Sequence, residues 1–396
     1  MNIVYYVDDF PKLSESFILN EIYELSQLGH NVAVCALQKP ECKIEHNEFD
    51  ELNVPISYVK TPTYKDITQL LSKKVWNLQM FKDSFYYASP LDHAANFFRA
   101  KQCIEFVDSL KWDPEHFHSH FATISKFGAL YASNYYNEPF TITTHAYDLY
   151  KEPIGTYTKQ LLQQSDRIVT ISEYNKRYIQ DRFTSNTPID VIHAGIRPEK
   201  FASTQSSQQN RVLTISRFVE KKGLPYALEA VEMVSDEIPE LEYHIIGSGE
   251  MEDELIRKVE QLGIGENVDF LNKVTDQRLI IELDEARCYL LPCIIPNSGD
   301  RDGIPVSLME AMAMKTPPVS TSISGIPELV DHGQNGLLTE PENAEALADA
   351  LLKLLQDEFK WNAYAESASR KITREFNIKK EVCKLENTFQ ATQTLK

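Results

Sequence analysis

Short apolar runs alternate with amphipathic stretches along this chain. Ile3–Val7 is apolar or aromatic at every position, which predicts a strand buried on both faces. Phe17–Leu28 follows with helical spacing, closed by Gly29, and Ser14 or Ser16 stands where an N-cap is needed. Asn31–Leu37 is the next apolar run. A right-handed crossover makes these two strands parallel. Val54–Val59, His116–Phe121, Phe140–Asp148, Arg167–Ile171 and Ile189–His193 extend the sheet. The polar stretch Pro198–Asn210, rich in Ser and Gln, predicts a linker. Beyond it the alternation restarts. Strands are predicted at Arg211–Phe218, Glu242–Ile246, Val268–Leu271, Arg287–Ile295 and Pro318–Ser322. Helices are predicted at Leu224–Val234, Met251–Leu262, Gln277–Glu285, Val306–Met314 and Ala344–Leu355, with helix from there to the end. The whole predicts an α/β protein of two Rossmann-like, doubly wound parallel-sheet domains facing across a cleft. We place them at residues 1–195 and 196–375, followed by a helix over 376–396.

Composition narrows the function classes. Hydrophobic residues make up 42% of 396 positions, enough for two cores. The net charge of −18 argues against nucleic acid as a partner, which needs a basic face. The six cysteines form no C-x-x-C pair and several lie in apolar runs, as expected of reduced core residues in a cytoplasmic protein. The start of the chain lacks the charge and length of a signal peptide, and no apolar run is long enough to span a bilayer. Leu70–Tyr87 is aromatic-rich and carries Lys73, Lys74 and Lys82. It is expected to pack on its own domain; the alternative is peripheral contact with a membrane.

The candidate chemistry falls at strand ends. Arg301–Ala313 follows an apolar strand and reads as loop, tight turn at Gly303 and Pro305, then helix. Free amides of Gly303, Ile304, Val306 and Ser307, in the turn made by Pro305, with the helix dipole, suit a phosphate. Asp302 at the turn and Glu310 on the helix are acceptors for vicinal sugar hydroxyls. Arg217 and Lys222 follow another strand and suit a diphosphate, although Glu220, Lys221 and Lys222 also fit a solvated turn. Gly247 and Gly249 would let a ligand approach the backbone. The loop after the first strand lacks G-x-G-x-x-G, which argues against NAD. No D-x-D pair directly abuts a predicted strand of the second half, Asp300-Arg301-Asp302 lying in the loop beyond Ile295, so cations are expected to replace a metal in stabilising a leaving diphosphate.

In the first half, His116, His118 and His120 alternate and so share one face. No acidic or thiol ligand stands at a telling spacing, so a polar cleft is expected rather than zinc. His145 is placed on a loop at the carboxyl edge of the sheet.

Ser216-Arg217-Phe218-Val219-Glu220-Lys221-Lys222-Gly223-Leu224, Ile246-Gly247-Ser248-Gly249-Glu250, Asp302-Gly303-Ile304-Pro305 through Glu310-Ala311-Met312-Ala313, and Ser324-Gly325-Ile326-Pro327-Glu328-Leu329-Val330 resemble the retaining glycosyltransferases of family 4, with the GT-B fold. Leu13–Glu21, His118–Ala122 and Thr144–Asp148 resemble the subgroup that builds bacterial exopolysaccharides such as colanic acid. The resemblance implies a nucleotide-diphosphate sugar as donor, UDP- or GDP-linked, and a glycan or lipid-linked acceptor. It implies no cofactor and no required metal. Arg217 and Lys222 would hold the diphosphate, and Glu310 the ribose. Asp302 and the amides of Gly303 to Ser307 would hold the sugar and distal phosphate. His145 would lie near the transferred sugar, and Lys273 and Val274 near the base. Ser14, Ser16, His118 and His120 fall on the acceptor side. The last helix would return to the first domain, and the leaving phosphate would help deprotonate the acceptor. Two positions depart from the family pattern: Asp302 stands for a usual Glu, and Lys315 for a usual Gly. The rival readings are a nucleotide-sugar-binding module without turnover and a sugar-nucleotide epimerase.

Overall fold

The computed structural model describes residues 1–12, 15–39, 49, 51–60, 62–63, 66, 89–150, 156–183, 186–204, 210–272 and 274–394. Ser14, Lys273 and the stretch Leu70–Tyr87 lie outside them. The chain divides into two units, Met1–His193 with Ile378–Lys396, and Ala194–Asn377.

Unit 1 is built on a parallel sheet. Its strands are β1 (Asn2–Asp9), β2 (Asn31–Gln38), β3 (Ile56–Tyr58), β4 (His116–His120), β5 (Phe140–Thr144), β6 (Arg167–Thr170) and β7 (Ile189–Val191), in the order β3-β2-β1-β4-β5-β6-β7. All pairs are parallel, with Tyr5 opposite Val34 on one side and His118 on the other. Unit 2 repeats the scheme with β8 (Arg211–Ile215), β9 (Glu242–Ile246), β10 (Val268–Phe270), β11 (Cys288–Leu291), β12 (Pro318–Thr321) and β13 (Leu337–Thr339), in the order β10-β9-β8-β11-β12-β13. Both are doubly wound α/β sheets whose central strands bury their apolar runs, Ile3–Val7 in β1 and Cys288–Leu291 in β11.

In such a sheet the connections run to opposite faces on either side of one point, and ligands bind there, beyond the strand carboxyl ends. That point lies between β1 and β4 in unit 1 and between β8 and β11 in unit 2.

The helix Ile378–Gln393 belongs to unit 1. Its Ile378, Val382, Leu385 and Phe389 are buried in the cluster that includes Tyr5, Ile18 and Ile22. Phe389 lies 4.2 Å from the His116 ring, centroid to centroid. The helix is also tied by polar bonds, with Glu381 accepting from the His193 amide at 2.9 Å. Among the described residues no helix is long and apolar enough to cross a membrane. Cys35, Cys103, Cys288 and Cys293 are buried and unpaired, while Cys383 is exposed.

Local corrections have local causes. Ser16 is the first residue of its helix, which has Glu15 at the cap position and no side-chain capping bond. The strand expected over Arg211–Phe218 ends at Ile215, because Phe218 turns into the core and packs edge-on against Phe270. The strand expected over Arg287–Ile295 is only Cys288–Leu291, since Pro292 has no N–H to continue a central ladder.

Candidate functional site

In unit 2 the loop after β8 and the loop after β11 are bound to each other. The Ile294 amide donates to the Lys221 carbonyl at 2.9 Å. Gly223 has a φ of +65°, and a Cβ there would sit 2.0 Å from the Pro292 carbonyl oxygen. Only glycine allows that approach.

The turn Glu220–Lys222 so placed carries two lysines inward. Lys222 Nζ lies 2.6 Å from Asp302 Oδ2, and Lys221 Nζ lies 3.6 Å from Asp302 Oδ1 and 3.0 Å from Asp300 Oδ1. Both lysines are buried, so the solvated-turn alternative is wrong for them. Arg217, on the same loop, is exposed. Burial alone would raise the Asp302 carboxyl; the facing Lys222 and Lys221 outweigh it and hold the group ionised below its ordinary value. Burial likewise works against the Lys222 charge, and Asp302 restores it. The buried Cys293 thiol lies 3.5 Å from the same carboxylate.

Gly303, Ile304 and Pro305 are buried and lead into the helix Val306–Ala313, whose N-terminus has no side-chain cap and no acid in its first turn. Ser307 bonds the Tyr289 hydroxyl, which also donates to the Ile215 carbonyl at 2.8 Å. That ties the helix start to the end of β8. Glu310 lies further along the helix, half-buried. Burial first, then the neighbouring Asp276, pushes its carboxyl up to about 7, with Lys200 opposing. Val274 is half-buried against the same core.

The reason for Gly247 and Gly249 differs from the one expected. A Cβ on Gly247 would lie 1.8 Å from the Ser216 carbonyl oxygen, and one on Gly249 2.5 Å from that of Phe218. These glycines make room for the chain's own β8 loop.

In unit 1, His118 and His120 do not line an open cleft. They are buried, with His116, between the sheet and two helices. His118 shares its two ring nitrogens with Thr141 at 2.7 Å and Thr143 at 3.0 Å. Neither histidine is placed to touch an acceptor, because the expectation counted the shared face but not the helices Ser16–Gln27 and Ile378–Gln393 that cover it. Ser16 is half-buried at its helix start.

His145 follows β5 and is nearly enclosed. Its Nε2 lies 3.1 Å from His120 Nδ1, and its amide donates to Asp148 Oδ1 at 2.8 Å. Burial, with His120 beside it, holds its pKa well below the usual histidine range. Asp148 also accepts from the Ala122 amide at 2.7 Å, and burial pushes its carboxyl up to about 6. At the end of β1 the Asp8 carboxylate meets the fully buried Lys126 at 2.5 Å and Ser125 at 2.8 Å.

Glu21, His118 and His120 bring three donor atoms within 4.8 Å of one another. Tyr5 and His120 already bond Glu21, and the two threonines engage His118, so the set is satisfied by protein partners.

Sequence reading missed Lys221, Asp300, Glu21, Lys126 and Asp148 as members of these clusters. The doublet Lys221-Lys222 before a glycine was the available signal for the first.

Comparison with known proteins agrees with this geometry. The family model "Glycosyl transferases group 1" matches residues 196–372, and "Glycosyltransferase Family 4" matches residues 14–200. The amylovoran biosynthesis glycosyltransferase AmsK of Erwinia amylovora is 30% identical over 95% of this chain and 96% of its own. WcaL of Escherichia coli, named as a colanic acid biosynthesis glycosyltransferase, is 27% identical over the same shares. The crystal structure of Anabaena HepE in complex with UDP superposes with a TM-score of 0.76, at 15% identity, over 99% of this chain and 100% of that one.

Proposed function

This chain belongs to the GT-B glycosyltransferases of family 4 and group 1, in the subgroup that includes exopolysaccharide enzymes, and from that membership we propose its reaction in more detail. It moves a hexose from a nucleotide-diphosphate sugar to a glycan or lipid-linked acceptor, with retention of the anomeric configuration and without a metal ion. The observation that carries this reading is the cluster of Lys221, Lys222 and Asp302 beside the uncapped start of the helix Val306–Ala313. It stands at the topological switch point of the unit 2 sheet.

The roles follow from the groups. The lysines and Arg217 attract the diphosphate, and the helix amides of Val306 and Ser307 receive its terminal phosphate. As the bond from the anomeric carbon to phosphate breaks, negative charge grows on the departing oxygens, and these cations meet it without a bound ion. Asp302, held ionised by its lysines, accepts sugar hydroxyls. Glu310 accepts the ribose hydroxyls, and the backbone near Lys273 and Val274 receives the base. UDP is the first nucleotide to try, since HepE and UDP form the complex named above.

The test is incubation with labelled UDP- and GDP-sugars and lipid-linked acceptors, with and without EDTA. Transfer that survives EDTA and gives the donor's own anomer by NMR supports the whole reading. An inverted product sinks retention, and loss of activity in EDTA sinks metal independence. Binding without turnover or hydrolysis favours a non-catalytic module. Release of an epimerised free sugar without acceptor favours an epimerase.

A further inference from the structure

Two acids face the lysines of unit 2, and the transferase reading gives a role to one of them. Asp302 is held on several sides, by Lys222 at 2.6 Å, Lys221 at 3.6 Å and the Cys293 thiol at 3.5 Å. Its side chain is 15% exposed. Asp300 is 35% exposed, and among the described residues its carboxylate has a single partner, Lys221 Nζ at 3.0 Å. We propose that Asp300 is an internal competitor for the diphosphate. Its carboxylate holds Lys221 between turnovers, gives way when a nucleoside diphosphate binds, and returns as the product leaves. The identity of the ligand rests on the transferase reading above.

The lysine is anchored through its backbone, the acid through one ion pair. The Lys221 carbonyl accepts from the Ile294 amide at 2.9 Å, and its side chain is buried, so the ammonium is confined to the site. The Asp300 carboxylate, partly in water, turns away by rotation about its own side-chain bonds. Its pair with Lys221 is the one side-chain bond that breaks. Asp302 could not exchange in this way. It is paired with both lysines, and removing it would strand buried charge. Because Asp302 stays, Lys221 never lacks a counter-charge during the exchange.

Charge favours the exchange. A carboxylate and a phosphate oxygen accept the same charge-assisted hydrogen bond from an ammonium. Arg217, Lys221 and Lys222 bring three positive charges, with Arg217 near enough to oppose the charge on Lys222. Asp300 and Asp302 offset two of them. With Asp300 turned away, two positive charges remain in surplus, as many as the diphosphate of a nucleotide sugar carries negative. A carboxylate that must be displaced weakens donor and product alike, and the product is the one that needs it. Freed of its sugar, the diphosphate gains an ionisable oxygen and grips cations harder than the donor does. Asp300 offsets that grip and lets the product go.

Asp300→Asn keeps the shape and removes the charge. Calorimetry with UDP, GDP and ADP reads the result. The nucleotide that wild type binds should bind Asp300→Asn about tenfold tighter, the effect of one unit charge close to the ligand. Asp300→Glu keeps the charge and should stay within about twofold of wild type. Lys221→Gln separates displacement from a mere field. In that background Asp300 has no lysine to hold, so adding Asp300→Asn should change the affinity by less than about twofold. Melting temperatures close to that of wild type show that each variant is folded. Equal or weaker binding by Asp300→Asn would overturn the proposal and leave the nucleotide reading intact. So would a gain in Asp300→Glu equal to that of asparagine, or an undiminished gain in the Lys221→Gln background. If neither wild type nor Asp300→Asn binds any of the three nucleotides, the nucleotide reading falls and the exchange falls with it.

Discussion

Units 1 and 2 share one architecture but organise their polar groups in opposite ways. In unit 2, two buried lysines face two aspartates, and the site is a set of full charges. In unit 1, one glutamate joins a run of buried rings and hydroxyls. Charges at a switch point attract a charged ligand over a distance and weaken with salt. A buried neutral network attracts nothing from afar, but it fixes which atom of a ring donates and which accepts. The charged side suits the proposed reading, in which unit 2 receives a donor that carries a diphosphate.

The largest expected effect breaks the charged side of this comparison. Lys222→Ala leaves Asp302 with Lys221, 3.6 Å away, and removes a cation that the proposed reading sets against the developing phosphate charge. We expect kcat/KM for transfer to drop by about 10²–10³ with little change in melting temperature. Donor affinity in unit 2 should fall as salt rises. Steady-state kinetics at two salt concentrations checks both. A donor affinity that does not change with salt would erase the distinction.

Unit 1 also buries a full charge, Lys126, and its ion pair should govern stability. Lys126 is fully buried, and its partner is the half-exposed Asp8. Asp8→Ala leaves that ammonium without its counter-ion and should cost about 2–3 kcal/mol in urea unfolding. Burial opposes the Asp8 charge, but Lys126 and Ser125 hold its pKa below the ordinary value. Its contribution is therefore present above the unfolded carboxylate pKa of about 3.9 and is lost as pH falls through the lower folded value. Asp8→Ala and wild type should accordingly converge in stability at strongly acid pH.

The same contrast explains what could be read from sequence. Charged residues and glycines just after an apolar run announce themselves, so Arg217, Lys222, Asp302 and Glu310 were legible. Their pairing was not: Lys221 looked like a solvated charge until the amide bond from Ile294 showed its turn folded inward. Strand order followed from the β/α alternation, while strand ends at Ile215 and Leu291 depended on where Phe218 and Pro292 had to go. In unit 1 the alternation of His116, His118 and His120 gave their common face. What covers that face, a helix from each end of the chain, involves bonds such as Glu21 to His120 across 99 residues, which no local pattern carries. Gly247 and Gly249 show the converse case. Their need for glycine was plain, but its cause was the neighbouring loop rather than a ligand.

A smaller effect sharpens the role of Glu310. Its carboxyl is pushed up to about 7 by burial and by Asp276, so its proton is lost across neutral pH. In its proposed role the carboxylate accepts both ribose hydroxyls; protonated, it offers one acceptor fewer. Affinity for a nucleotide sugar, whose own phosphates do not titrate near pH 7, should rise severalfold from pH 6 to pH 8 by calorimetry. Glu310→Gln should flatten that slope. Stability moves the other way. A carboxyl with a raised folded pKa stabilises the fold below its unfolded value and loses that contribution as pH rises through about 7. Glu310→Gln should then melt later than wild type at pH 8 and together with it near pH 4.

The smallest effect concerns Lys315, at the exit of the helix that carries Glu310. Its φ is +64°, the left-handed region where glycine is favoured, and its Nζ lies 2.5 Å from the Glu366 carboxylate. An L-residue held there costs roughly 1 kcal/mol relative to glycine. The exposed ion pair returns only a few tenths to about 1 kcal/mol. Lys315→Gly relieves the backbone and loses the pair; Lys315→Ala loses the pair and keeps the backbone cost. Glycine should therefore be the more stable of the two variants by about 1 kcal/mol, less some tenths for its freer unfolded chain. Lys315→Gly itself should fall within about 0.5 kcal/mol of wild type. An alanine variant as stable as the glycine one would mean that the left-handed turn is not fixed by the fold but follows the residue placed there.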